Sequence, residues 1–485
     1  MAEWAVAKLL GIDLGTSGCK AVLIDPSGRV LAQASAPYPL RTPQPGWTEQ
    51  DPEDWWSAVQ QVLSRIGVRS PDAIGLTGQM HGAVCLDGGG DVIRPAILWN
   101  DQRTVAESAE IDRVIGTSRF RSITCNPPLT GFQAPKLLWI RNHEPENFAR
   151  IRKVLLPKDY VRFRLSSEFF SEVSDASGTA LFDVPNRRWS REVIRELGFR
   201  EDWFPEVTES DATSAETKGS VYLSEGIPIV GGGGDQAAGA VGAGCVAEGR
   251  VSASLGTSGV VFAPTSVPAY DEAGATHTFC HANRAWHLMG VMLSCGGALQ
   301  WFRDEFLAGG TYDELAEMAS RVSAGAKGLT FLPYLAGERT PHNDPHARAA
   351  FVGATLSHGK AEFARAVYEG ISFGIADGLD LLRGLGVAPD EIRIVGGGAK
   401  SEFWVQMLSD VLGVACVRLE ADEGPAFGAA LLAGVGCGVW SDVETACRDT
   451  VRVKDRFVPS HEGAYDSALE LFRSRYSCVV RKPRQ

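Results

Sequence analysis

The chain begins with an alternation. In "KLLGIDLG", Leu10, Ile12 and Leu14 fall on one side and Gly11, Asp13 and Gly15 on the other, the period-two pattern of a half-buried strand. A glycine-bearing turn leads straight into a second apolar run, "CKAVLID", so the spacing predicts a β-hairpin and not the strand-to-helix turn of a dinucleotide or Walker loop. The same five residues, "LGTSG", return at positions 255–259, again between two apolar runs, "RVSASLG" and "VVFAP". Each half of the chain therefore opens on a similar supersecondary unit.

Helices are marked by their starts. In "GWTEQDPEDWWSAVQQVL", Asp51 is placed to cap, Pro52 suits the first helical position, and Glu53 and Asp54 complement the helix dipole. Trp55, Trp56, Val59 and Val62 then face the core. Helical patterns recur in "QRTVAESAEIDRVI", between Glu362 and Leu382, and in "SEFWVQMLSDVLG". Strand patterns occur in "DAIGLTGQMHGAVCLD", "VLLPKDYVRFRL", "LTFLPYL" and "IRIVGGG". At "PIVGGGGDQAAGAVGAG" a strand reaches four glycines and enters a small-residue helix, with Asp235 placed as its N-cap. This mixture in both halves predicts two α/β domains, 1–246 and 247–485, with a hinge near Gly244 to Gly249 and a ligand cleft between them.

Composition narrows the function. At 485 residues the chain is too long for one ordinary core, and its 54 glycines point to many tight turns or close backbone approaches. A formal net charge of −12 argues against nucleic acid or an anionic membrane as the main partner. No apolar run reaches the roughly 18 residues of a membrane span, and no signal-peptide pattern precedes the first strand. Ten scattered cysteines without a C-x-x-C pair read as reduced thiols of a cytoplasmic protein. In "HTFCHANRAWH", His277, Cys280, His281 and His287 lack paired zinc-ligand spacing, so they read as structural. The basic tail "VVRKPRQ" reads as a solvated end.

A Gly-Thr-Ser-Gly turn bares backbone N–H groups and two hydroxyls, a small anion-binding concavity, and two such turns can grip one polyphosphate from both sides. Asp13 stands two residues before the first turn. A bare carboxylate about 4 Å from a phosphate charge is opposed by roughly 4 kcal/mol at an effective dielectric near 20, which a divalent cation removes. Hard oxygen ligands suit Mg²⁺. Asp235 follows four glycines that let a second molecule approach the backbone. From pattern alone it is either a helix cap or the base that takes a proton from a hydroxyl attacking a γ-phosphate. In "GLTGQMHGAV", Gln79, Met80 and His81 place an amide and an imidazole where a polyol could be read. The loop "VGGGAKSEFW" holds Lys400 and Ser401 without the glycine that a Walker motif has before its lysine, so it reads as a strand-turn-helix contact to a nucleotide.

Taken in order, "GIDLGTSGCKAVLID", "GWTEQDPEDWW", "GQMHG", "ILWNDQR", "SDASGT", "GGGGDQAAGAVGAG", "SLGTSG", "FCHA", "WHLM", "FLPYLAGERTPHN", "VGGGAKSEFW" and "GPAFGAALLAG" resemble the FGGY carbohydrate kinases from about Leu9 to Gly436. "GQMHG" and "GERTPHN" are most similar to the branch acting on D-xylulose, since glycerol kinases carry an Arg-Glu pair where this chain has Met80 and His81. The resemblance implies two actin-like, ribonuclease-H-type lobes with ATP and the sugar between them. It implies Asp235 as the base at the sugar's 5-hydroxyl and Asp13 at the Mg²⁺ site. Gln79, Met80 and His81 are then on the sugar, Thr16, Ser17, Gly256 and Thr257 in the phosphate loops, and Gly397, Gly398 and Lys400 in the nucleoside loop. The sugar-binding and catalytic parts fall to the first domain and nucleotide binding to the second. Two departures stand out: the Pro127-Pro128 pair, and Gln236 where Asn is common. Rival readings are a kinase of another pentulose or polyol and a nucleotide-switched actin-like binding protein. Assembly as a homodimer is left open.

Overall fold

The computed structural model describes residues 7–307, 309–420, 424–461 and 463–480. The last five residues of the basic tail lie outside that set. Two mixed sheets dominate, one from each half. The first runs, edge to edge, Thr213–Lys218, Glu225–Val230, Ala73–Gly78, Leu9–Leu14, Gly18–Ile24 and Val30–Pro37, with Gly233–Gly234 joined to Ala73–Gly78. Leu9–Leu14 lies parallel to Ala73–Gly78, which lies parallel to Glu225–Val230; the other neighbours along that path are antiparallel. The second sheet runs His277–Cys280, Trp286–Met292, Gly259–Thr265, Arg250–Leu255, Glu391–Val395, Cys416–Leu419 and Val453–Phe457. Its parallel strands are Arg250–Leu255, Glu391–Val395 and Cys416–Leu419. In each sheet a hairpin extended by a third antiparallel strand continues, from its first strand, into two parallel strands and an antiparallel edge; the second sheet adds His277–Cys280 beyond its third strand. The repeated pentapeptide sits at the same place in both plans, the turn of that hairpin.

The predicted helix starts at Pro52 and runs to Ile66, capped by the Asp51 carboxylate on Glu53 N and closed by Gly67 in the left-handed region at φ 71°. Trp55, Val59 and Val62 are buried as expected; Trp56 is only half-buried and lies under the Arg164 guanidinium. The expected strand "VLLPKDYVRFRL" is mostly a helix. Only Lys153–Leu155 is extended, and Pro157–Ser166 is helical with Pro157 at its first turn. Arg162 explains the mismatch. It is fully buried, donating to Val230 O (2.7 Å) and Gly231 O (2.6 Å), so the apolar-polar alternation of "VRFRL" does not mark an exposed side. The 25-residue helix Lys360–Gly384 runs through the second core and buries most of its length.

The halves meet through small residues. The helix Gly424–Gly436 comes from the second half yet lies on the first sheet and against the helix Asp235–Gly242. Glycine makes this approach possible: a Cβ on Gly11 would overlap Ala426 O, one on Gly75 would overlap Ala429 O, and one on Gly428 would overlap Ala238 O. Leu9, Ala73, Ala237, Val241, Ala426 and Leu431 share the resulting core.

Candidate active site

The first pentapeptide turn is held by its carbonyls. Gly15 O accepts from the Tyr38 hydroxyl, Thr16 O from Gln50 Nε2 (2.7 Å), and Ser17 O from Tyr38 N (3.4 Å). Trp99 Nε1 donates to Thr16 Oγ1 at 3.0 Å. In the second turn Gly256 O accepts from Gly296 N (2.7 Å), and Thr257 O accepts from Cys295 N and Gly297 N (both 3.0 Å). With carbonyls occupied, the turns offer N–H groups and hydroxyls, which is what an anion needs.

Gly256 and Thr257 line a cavity of about 570 Å³ in the second half, together with Gly397, Gly398 and Lys400. Gln300, Tyr312, Tyr368 and Trp404 complete its wall, a mix of apolar and polar groups with room for a nucleoside. Ser401 caps the helix Glu402–Leu412 by accepting from Trp404 N, so the third glycine loop does pass from strand to turn to helix.

A second cavity, of about 260 Å³, lies between the halves. Asp235, Gln236 and Gly239 form one side; Ser252, Ser254 and Gly396 form the other. Asp235 is the first residue of its helix, and Gly234 holds the cap position, so the expected N-cap role is not what the structure has. Ser174 Oγ accepts from Gly234 N at 3.1 Å and anchors the glycine run. Burial pushes the Asp235 carboxyl up to about 6, while hydrogen bonds from Gln236 hold it from rising further. Asp13 is pushed to about 7, first by burial and then by the charge of Asp235, with Lys20 opposing. These two carboxylates therefore feel one another across the base of the first hairpin. Asp13 Oδ1 is shut off from solvent and has no hydrogen-bond partner.

Gln79, Met80 and His81 line neither cavity. Gln79 N donates to Leu14 O (2.7 Å) and its amide to Gln50 Oε1 (2.8 Å), which ties it to the first turn. Met80 is buried beneath Gly234, where a Cβ would meet Met80 Cγ at 2.8 Å. His81 sits at φ 68°, with Nδ1 on Gly178 O at 2.6 Å; burial holds its pKa down to about 3, so the ring is neutral. Lys136 Nζ donates to His81 O at 2.8 Å and steadies that unusual backbone. The structure thus draws Met80 to the glycine run before Asp235 and brings Gly256, Thr257, Gly397, Gly398 and Lys400 to one cavity, while Thr16 and Ser17 line neither cavity. His277, His281 and His287 are buried and neutral among Phe262 and Phe279. Among the described residues no group of three or more His, Cys, Asp or Glu could hold a metal ion. Gln50, Trp99, Lys136 and Ser174 escaped the sequence reading; each bonds to a distant segment, which no local spacing reveals.

Comparison with known proteins agrees with this architecture. The model of the FGGY family of carbohydrate kinases, N-terminal domain, matches residues 8–242, and that of its C-terminal domain matches residues 251–437. A xylulose kinase of Escherichia coli (strain K12) is 44% identical over 436 residues, 88% of this chain and 89% of that protein. The crystal structure of a xyloylose kinase from Brucella ovis superposes with a TM-score of 0.92 at 38% identity, covering 97% of this chain and 99% of that one. A gluconate kinase structure from Lactobacillus acidophilus gives the same TM-score at 26% identity, over 98% and 99% of the chains. With two actin-like lobes, a repeated hairpin turn in each and both domain models matched, the chain belongs to the FGGY family of carbohydrate kinases.

Proposed function

We propose that this chain transfers the γ-phosphoryl group of ATP to the 5-hydroxyl of D-xylulose, giving ADP and D-xylulose 5-phosphate. The observation that carries the reading is Asp235. It opens a helix after four glycines, faces the cavity between the halves, and has a proton affinity raised toward neutrality by burial. A base that takes the proton of an attacking hydroxyl works best there. Relatives named as xylulose kinases over nearly the whole chain support the choice of sugar.

In this reading Thr16, Ser17, Gly256 and Thr257 hold the phosphates from two sides, and Gly397, Gly398 and Lys400 border the nucleoside. Met80 and His81 contact the pentulose, with Gln79 bracing them. We divide the chain at 246/247 and assign it to the cytoplasm. As the sugar oxygen bonds to the γ-phosphorus and the bond to ADP breaks, Asp235 accepts the hydroxyl proton. Closure of the halves excludes water and aligns hydroxyl with phosphate. The residues present fit a magnesium ion: Asp13 offers a hard oxygen that is buried and unpartnered. Mg²⁺ held by Asp13 and phosphate oxygens would supply charge neutralisation at the phosphates.

A second reading is favoured by one observation. The gluconate kinase neighbour shares the fold as closely as the Brucella structure, so another pentulose, a polyol or an aldonate is the alternative acceptor. ADP release under saturating Mg-ATP, measured with D-xylulose, L-xylulose, D-ribulose, xylitol, glycerol and gluconate, tests both. D-xylulose should give the highest kcat/KM; release that is equal with and without any sugar rejects the proposal.

A further inference from the structure

This inference rests on the pentulose reading and deepens it. A 2-ketopentose that offers its 5-hydroxyl to a phosphoryl donor is in the open-chain form, because closing its five-membered ring uses that oxygen. Its C2 carbonyl accepts hydrogen bonds and donates none, whereas each hydroxyl does either. A site that tells the ketose from the matching polyol therefore needs an N–H donor with no other acceptor.

Most polar groups that brace His81 and the first turn are acceptors or are already paired. Gly178 O can only accept, so His81 Nδ1 carries the proton and Nε2 is a bare lone pair. Lys136 Nζ is committed to His81 O and Gly131 O, and Asn126 Nδ2 to Thr124 O and Thr278 O. Trp99 Nε1 is bound to Thr16 Oγ1. Arg339, in "GERTPHN", differs. Among the described residues its guanidinium makes one hydrogen bond, from Nη1 to His277 Nε2 at 3.4 Å. His277 Nδ1 lies 3.2 Å from Asn126 Oδ1, an acceptor, which leaves His277 Nε2 free to receive the arginine. Two aromatic rings join this pair to His81: Phe132 lies 4.7 Å from His81 and 6.1 Å from His277, and Phe279 lies 6.0 Å and 5.8 Å from the same two. Arg339 thus reaches, from the second half, the aromatic wall that His81 meets from the first, with donors to spare.

We propose that Arg339 donates to the C2 carbonyl of the bound ketose and selects ketose over polyol. The test compares wild type, Arg339→Met and Arg339→Lys in the ADP-release assay, taking KM for D-xylulose and the inhibition constant of xylitol against it. Losing a hydrogen bond from a charged donor should raise KM for D-xylulose about 10- to 100-fold in Arg339→Met while xylitol inhibition changes less than about threefold. Arg339→Lys, which keeps charge and one donor at a different reach, should fall between. If both sugars weaken alike in the variants, or D-xylulose is unaffected, the assignment is overturned. Should Arg339→Met fail to fold, the same comparison in Arg339→Lys decides. A wild type that ignores D-xylulose rejects the substrate reading itself, a separate outcome visible before any variant is made.

Discussion

Replacing Asp235 with asparagine should inactivate the enzyme and stabilise it. The carboxyl has its proton affinity raised from 3.8 to about 6, so ionising it inside the fold costs about 3 kcal/mol at pH 8 relative to the unfolded chain. Its favourable contribution is complete below about pH 4 and lost as pH rises through about 6. An amide of the same shape never pays that cost. At about 2.1 cal/mol/K per residue, 3 kcal/mol corresponds to about 3 °C if the chain melts as one unit and about 6 °C if the halves melt separately. Asp13 should also ionise more easily once its charged neighbour is gone, adding to the gain. The assay is thermal melting of nucleotide-free wild type and Asp235→Asn at pH 5 and pH 8, with ADP release alongside. We expect the variant to melt higher at pH 8, by a margin that shrinks at pH 5, with kcat reduced about 10²- to 10⁴-fold. A variant that melts lower than wild type at pH 8, or by the same margin at both pH values, refutes the electrostatic argument; retained turnover removes Asp235 from the base role.

Three further outcomes follow from the same geometry. Because the base must be ionised, kcat/KM for the sugar should fall tenfold per pH unit below about pH 6, and a profile flat to pH 5 would contradict the assignment. Gly428→Ala should cost about 1–3 kcal/mol or more in denaturant titration, since its methyl would collide with Ala238 O; an unchanged midpoint would show that the two helices can separate freely. Trp99→Phe should raise KM for ATP about two- to tenfold with little change in melting temperature, because it removes the indole hydrogen bond to Thr16 Oγ1. A large loss of stability with unchanged KM would make Trp99 purely structural.

What could be read from the sequence was whatever leaves a local, periodic trace. The two hairpins, the Asp51 cap and the Ser401 turn are set by neighbours a few residues apart, so pattern recovers them. Arg162 shows where pattern fails: its burial depends on carbonyls 68 and 69 positions away, and without them "VRFRL" looks like a strand. Asp235 was visible as a candidate but misplaced by one position, since Gly234 supplies the cap backbone and no side-chain cap is needed. The crossing of the second-half helix onto the first sheet was hidden because its signal is a set of glycines on three separate segments. Within the site, the residues that steady the candidates, Gln50, Trp99 and Lys136, were invisible for the same reason.

One detail of the repeated turn has its own consequence. Counting back from each pentapeptide's leucine, the first copy has Asp13 where the second has Ser254, a neutral hydroxyl residue that borders the same cavity as Asp235. At this position the two copies differ by a charge. A jaw with an acid on both sides would repel its triphosphate twice and demand two counter-ions. If the turns hold phosphates as proposed, the acid meets them from one side only, so the two copies are not interchangeable.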